Sequence, residues 1–294
     1  MDALSNQLFA GLSLGSVLLL AALGLALTFG QMGVINMAHG EFIMAGAYTA
    51  YVVQGVISDA GLSLFVSIPL GFVVGGLLGV LLEASLLRRM YHRPLDTLLV
   101  TWGVALILQQ LARDIFGAPN VEVRAPSWLS GSVDLGVAQV PSARLFILVL
   151  SIVAVVALGI ALKATSLGRR IRGVVQNRDL AETVGIDTRS TDRLTFFIGS
   201  GLAGVAGVAL TLLGSTGPTL GTNYIVDAFL VVVAGGIGQI KGCVIAAFGL
   251  GLLQAAFEYS TTASLAKVAV FVVVVIFLQV RPQGIFSVRT RSLV

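Results

Sequence analysis

Charge is scarce in this chain. Of its 294 residues, 11% are Asp, Glu, Lys or Arg, where a soluble domain carries about 25%, while 56% are hydrophobic. No water-soluble core of this size needs so much apolar surface, so the natural solvent is a lipid bilayer. Cysteine is almost missing, and the single Cys243 excludes an internal disulfide and any cysteine metal cluster. Histidine occurs only as His39 and His92, far apart and without a metal-ligating partner at helical spacing, so no metal site is expected. Neither the phosphate-cradling GxxxxGK(S/T) pattern nor HExxH is present. No catalytic residue and no cofactor is expected, and uphill movement of a solute would need an outside energy source. No Pro/Ser-rich linker or low-complexity tract divides the chain, so residues 1–294 read as a single membrane domain.

What the chain does have is long apolar runs and 35 glycines, the composition of helices that must approach closely without a hydrophobic force between them. Runs at 8–29, 62–87, 145–162 and 194–213 reach the length of about 20 residues that a span requires. The run at 97–111 is completed by its flanks, and 265–280 carries Lys267 near one end, where lysine reaches the interface. The runs at 42–57, 225–237 and 244–257 are too short to cross comfortably alone. The expectation is an all-α polytopic fold of about eight or nine transmembrane, broken or re-entrant helices. The first run follows Asp2 with no Lys or Arg and is longer than the 7–15-residue core of a secretory signal, so it is expected to be the first membrane helix.

Most of the 18 basic residues cluster in three places. These are Arg88, Arg89 and Arg93; Lys163, Arg169, Arg170, Arg172, Arg178, Arg189 and Arg193; and Arg281, Arg289 and Arg291. The positive-inside rule puts all three in the cytoplasm and the N-terminus outside. The mixed charges of 112–143 then also fall outside.

The stretch GQMGVINMAHGEFIMAG (30–46) runs directly from an uncharged span into Asn36, His39 and Glu41. Each would be costly against lipid, about 2.5–3.5 kcal/mol for a charge on insertion scales. Gly30, Gly33 and Gly40 permit the backbone to unwind, and Glu41 would then open a new helix at the positive end of its dipole. Two readings stand side by side: the three residues line a translocation pathway, or they cap helix ends and tie neighbouring helices together. Thr101 and Gln239 are further candidates for a pathway. Gln109, Gln110, Asp227, Gln254 and Glu258 read as interhelical hydrogen bonds or interface anchors. A second glycine-rich interruption, 234–251, echoes the first weakly, the signature of an internal repeat around a transporter's midplane. The GxxxG pattern at Gly71, Gly75 and Gly79, and the face of Gly201, Gly204 and Gly207, read as helix packing.

The basic segment 163–193 is the longest inside loop. It carries a short helical core at 179–184 ended by Gly185, with flanking arginines. Such a helix suits docking into a groove of a cytoplasmic partner.

Three stretches carry a family resemblance. GVINMAHGEFIMAGAYTAY, AGGIGQIKGCVIAAFGLGL and NRDLAETVGIDTRSTDRLTFFIGSGLAGVAG together resemble the inner-membrane permeases of bacterial ABC importers for branched-chain amino acids and related amides. Within that family the first segment looks most like the urea-importer permease. The resemblance implies a pseudo-symmetric dimer with a second permease, two cytoplasmic ATPase subunits that bind the ATP, and a periplasmic solute-binding protein. It further implies that Ala181, Glu182 and Gly185, with Asn177, Asp179 and Leu180 around them, form the ATPase-coupling segment. Urea, neutral and without need of a cationic clamp, is the expected solute. The alternatives are a branched-chain amino acid importer permease or a stand-alone urea or amide channel, which would need no long docking loop.

Overall fold

The computed structural model describes residues 2–91, 93–134 and 139–286, so His92, Arg289 and Arg291 lie outside the described residues. Among the described residues the chain forms eleven α-helices and one small hairpin. The helices are α1 (Asp2–Met32), α2 (His39–Val56), α3 (Ala60–Ser85), α4 (Pro94–Phe116), α5 (Ser142–Ala164), α6 (Ser166–Gln176), α7 (Arg178–Thr183), α8 (Thr188–Leu210), α9 (Leu220–Gly235), α10 (Ile240–Ser260) and α11 (Ala263–Val280). Strands β1 (Ser132–Asp134) and β2 (Gln139–Pro141) pair antiparallel between α4 and α5.

Among the described residues, seven helices are long and apolar enough to cross a membrane, namely α1, α3, α4, α5, α8, α10 and α11. Six coincide with the expected full spans. The seventh, α10, grows from a run that was expected to be too short, because the helix continues through Ile240–Cys243 and Glu258–Ser260 at its two ends. Of the other two runs expected to be too short, one forms the 18-residue α2, which begins with the polar His39 and Glu41, and the other the 16-residue α9. Local chemistry sets several boundaries. Asp59 accepts the Leu62 N–H at the start of α3 (2.6 Å), Asp187 accepts the Ser190 N–H at the start of α8 (3.1 Å), and Pro94 opens α4 where its missing N–H costs nothing. The letters GLSLG at 11–15 fit the nucleophile-elbow pattern GxSxG, but they lie inside the continuous α1 rather than at a strand-to-helix turn.

Glycines set the packing. A Cβ on Gly204 of α8 would strike the Gly71 carbonyl oxygen of α3, and one on Gly79 would meet the side chain of Ser200. The α3–α8 interface is the most extensive in the molecule, as the GxxxG pattern predicts. Gly71 lies opposite Gly204, Gly79 opposite Phe196 and Ser200, and Glu83 opposite Arg193, so the two helices are antiparallel. Likewise α1 is antiparallel to α10, with Gly11 against Leu252, Gly15 against Phe248 and Gly30 against Gly238. Between these pairs, α1 crosses α8 in opposite sense, with Gly24 on Gly199 and Gln31 near Thr195.

These contacts define an inverted repeat. The quartet α1–α4 corresponds to α8–α11: α3 packs on α8 as α10 packs on α1, and the two short helices are α2 and α9. The weak echo in the sequence paired different segments. In the structure the break before α2 (33–38) corresponds to the connection before α9 (211–219), whereas 234–251 runs from the end of α9 through the connection 236–239 into α10. The two glycine-rich segments look alike because they touch at Gly30 and Gly238, not because they are equivalent. The core is α1 and α8, buried along most of their length, while α4, α5 and α11 turn residues such as Leu99, Trp102, Val153 and Val272 outward.

Candidate functional site

The chain leaves α1 after Met32, and Gly33 takes a left-handed φ of 62° that L side chains rarely adopt. Residues 33–36 are then non-helical, and α2 begins at His39. Of the three glycines expected to unwind the backbone, only Gly33 does so. Gly30 stays within α1 because it must let Gly238 close, and Gly40 stays in the first turn of α2 because it lies on the Gly221 carbonyl of α9. The break is fastened by Thr101 of α4, whose hydroxyl donates to the Thr97 carbonyl (2.8 Å) and accepts the Met37 N–H (3.0 Å).

Gly40 and Gly221 lie in the first turns of α2 and α9, so the starts of the two short helices meet back to back. Both dipoles present their positive ends to the same place, and Glu41 sits there. Its Oε1 accepts the Gln109 Nε2–H of α4 (2.8 Å), and the same amide donates to Thr222 Oγ1 of α9 (2.9 Å). His39 donates through Nε2 to the Ala21 carbonyl (3.2 Å), which leaves Nδ1 as an acceptor. Asn36, His39 and Glu41 are 0%, 0% and 2% exposed. Both amide atoms of Asn36, Nδ1 of His39 and Oε2 of Glu41 have no hydrogen-bond partner among the described residues. A buried polar atom without a partner costs about 1–3 kcal/mol, so this group of unpartnered atoms at the helix break is held there at an energetic cost.

Gln239 is placed elsewhere. It opens α10, its neighbour Gly238 lies on Gly30 at the end of α1, and most of α9 separates it from Thr222, which sits in the first turn of that helix. Gln109 was expected only as an interhelical hydrogen bond. It is one, and it joins the buried centre to two helices. Nothing local in the sequence singled out Thr222, which comes to the centre only because α9 starts there.

The basic segment is more structured than a loop. Helix α6 folds back on α5 through the buried Gly168 and Ile171, and Arg172 Nη1 donates to the Leu162 carbonyl (2.7 Å). Helix α7 starts one residue earlier than expected because Asn177 caps it, its Oδ1 accepting the Leu180 N–H (2.9 Å). Gly185 has φ 84° and ends the turn. Ala181 is buried, whereas Leu180 and Val184 are 61% and 69% exposed, an apolar pair presented outward. Asp179 lies in the first turn, and Glu182 accepts the Thr188 hydroxyl (2.6 Å).

Beneath α7 lies an ionic cluster that sequence spacing could not reveal. Arg178 Nη2 donates to Asp192 Oδ2 (2.5 Å), and its guanidinium lies 5.1 Å from the Tyr91 ring centroid. The Tyr91 hydroxyl donates to Glu83 Oε1 (2.6 Å), and Arg193 Nε is 3.7 Å from Glu83 Oε2. Glu83, Tyr91, Arg178 and Asp192, with Arg88, Arg89 and Arg189, border a cavity of about 320 Å³. On the other quartet Lys267 of α11 pairs with Asp227 of α9 (2.9 Å), a closer role than the interface anchor expected of it.

Residues 7–279 match the family described as branched-chain amino acid transport system / permease component. The chain belongs to that family. Among other members of this permease family, the high-affinity branched-chain amino acid transport system permease protein LivH of Salmonella typhimurium is 29% identical over 296 residues, 96% of this chain and 95% of LivH. BraD of Pseudomonas aeruginosa, a high-affinity branched-chain amino acid transport system permease protein, is 28% identical over 297 residues, again 96% and 95%. The ribose import permease protein RbsC of Escherichia coli is 27% identical over 270 residues, 85% of this chain and 77% of RbsC. No solved structure matches the chain. The family is one of permeases, subunits that transport rather than catalyse.

Proposed function

We propose that this chain is the permease subunit of an ATP-driven importer of branched-chain amino acids in the bacterial inner membrane. It acts as one membrane domain, paired with a second permease, two cytoplasmic ATPase subunits that bind the ATP, and a periplasmic solute-binding protein. The observation that carries the reading is the polar centre at Asn36, His39 and Glu41, buried where the two short helices of an inverted repeat start. Alternating access needs a midplane site at the joint of two opposed halves. Asn36, His39 and Glu41 contribute to the pathway, Thr101 holds the break open, and Gln239 lies at its inner end. Helix α7 and Gly185 receive the ATPase, with Leu180 and Val184 filling its groove, so α6 and α7 face the cytoplasm and the N-terminus lies outside.

The amino-acid substrate is favoured by the names of LivH and BraD, which match nearly the whole chain. Urea draws no support from these relatives and rests on the resemblance of the segment GVINMAHGEFIMAGAYTAY and on a small neutral solute's lack of need for a cationic clamp. The test is uptake by the complete complex in proteoliposomes, with labelled leucine and labelled urea compared. Leucine uptake that requires ATP is expected, falling about tenfold in Glu41→Gln and His39→Ala, as loss of about 1–2 kcal/mol of polar interaction would produce, with the ATPase subunits still bound. Uptake of urea but not leucine would replace the substrate. Normal uptake in both variants would remove His39 and Glu41 from the pathway.

A further inference from the structure

Helix α7 has six residues, too few to carry a push on its own, so what it is fastened to decides where a push would go. At its first position Arg178 reaches both members of the most extensive helix pair. Through Asp192 it holds α8, and through the Tyr91 ring and hydroxyl it holds Glu83 of α3. Glu83 and Asp192 are both 2% exposed, so neither carboxylate is screened by water. Burial and the Glu83 carboxylate push the Tyr91 phenol above its ordinary range, so its hydroxyl remains a donor to Glu83 at any working pH. From there the path is glycine packing. On α8, Gly204 and Gly207 touch Gly46 and Ile43 of α2, whose first turn holds His39 and Glu41.

We propose that Arg178 is the positioning residue that converts movement of α7 into movement of the α3–α8 pair, through Asp192 on one side and Tyr91–Glu83 on the other. This rests on the reading of α7 as the ATPase-facing helix. Breaking the joint leaves the ATPase engaged with α7 but lets α7 move without α3 and α8. ATP hydrolysis then continues while transport fails, an outcome that loss of a merely structural ion pair would not produce. Coupling between sites is commonly worth factors of about 5–150, and about a tenfold fall in solute moved per ATP is expected here.

The test is the complete complex in proteoliposomes, with leucine uptake and ATP hydrolysis measured on the same preparation. Arg178→Ala and Asp192→Asn should each lower the ratio about tenfold. Because the two residues act through one joint, the double variant should lose no more than either single one. Tyr91→Phe, which removes only the hydroxyl, should lower the ratio about twofold or more. Losses that multiply in the double variant, or an unchanged ratio in assembled Arg178→Ala complexes, would overturn the proposal. If Arg178→Ala does not assemble, wild-type ratios in both Arg178→Lys and Tyr91→Phe overturn it equally. A wild-type complex without ATP-dependent uptake would instead overturn the functional reading, and this inference with it.

Discussion

Alanine at Gly204 should loosen the bundle, although alanine is the better helix former. The position lies in the interior of α8, where exchanging Gly for Ala ordinarily gains about 1 kcal/mol. Here the new Cβ would fall on the Gly71 carbonyl oxygen and within 3.5 Å of the Gly75 Cα, both backbone atoms that cannot swing away. The α3 and α8 axes would have to part by about 1 Å, which forfeits a quarter to a half of the dispersion energy along the interface. Overpacking of this kind costs about 1–3 kcal/mol, enough to reverse the propensity gain. It matters more in a bilayer, where packing rather than hydrophobic burial holds helices together. At about 2–4 °C per kcal/mol, the melting temperature in detergent, read by size-exclusion after heating, should fall by several degrees. Gly103 and Gly249 are the controls. Each is also helical, with nothing within 4 Å of an added Cβ, so alanine there should be neutral or stabilising. Gly204→Ala melting at or above Gly249→Ala would refute the assignment of α3–α8 as a glycine-closed interface.

Two further outcomes follow from single interactions. Asn177→Ala removes the cap of α7 and should cost about 1 kcal/mol of that helix, so amide exchange across Arg178–Thr183 should quicken about fivefold; unchanged exchange would show that the cap contributes nothing. Lys267→Met leaves Asp227 without its cation on a mostly buried side chain and should lower the melting temperature. Adding Asp227→Asn should restore much of that loss, and equal melting of the single and double variants would show that the pair does not stabilise α9 against α11.

Much of the fold was legible because membrane helices are local objects. Uncharged runs, the glycine spacing of Gly71, Gly75 and Gly79 and the stop at Gly185 act within a few residues of themselves. Glu41 at the start of a helix was legible for the same reason. The length of α10 was not, since Lys241 and Glu258 break the apolar run although the helix continues through both, with their side chains exposed. Gln239 was expected on the pathway from its glycine-rich setting, and packing alone decided that this setting lies where α1 meets the α9–α10 connection, most of a helix away from Thr222. Arg178, Asp192, Tyr91 and Glu83 carried no signal as a group, because ion pairs between separate helices have no sequence period.

By itself, then, the sequence determined the solvent of this protein, the positions of six of its spans, a glycine-permitted break between residues 30 and 40 and a short helix near 179–184 ended by Gly185. Each follows from hydropathy, backbone freedom or capping over one or two turns. Only the tertiary structure decided that the second quartet runs against the first and that α2 and α9 begin at one point. It also decided that Gln109 and Thr222 belong with Glu41, and that Arg178 fastens α7 to both α3 and α8. Those choices depend on which glycine surfaces close on which, and backbone contact at Gly40–Gly221 or Gly71–Gly204 exists only once distant segments have packed.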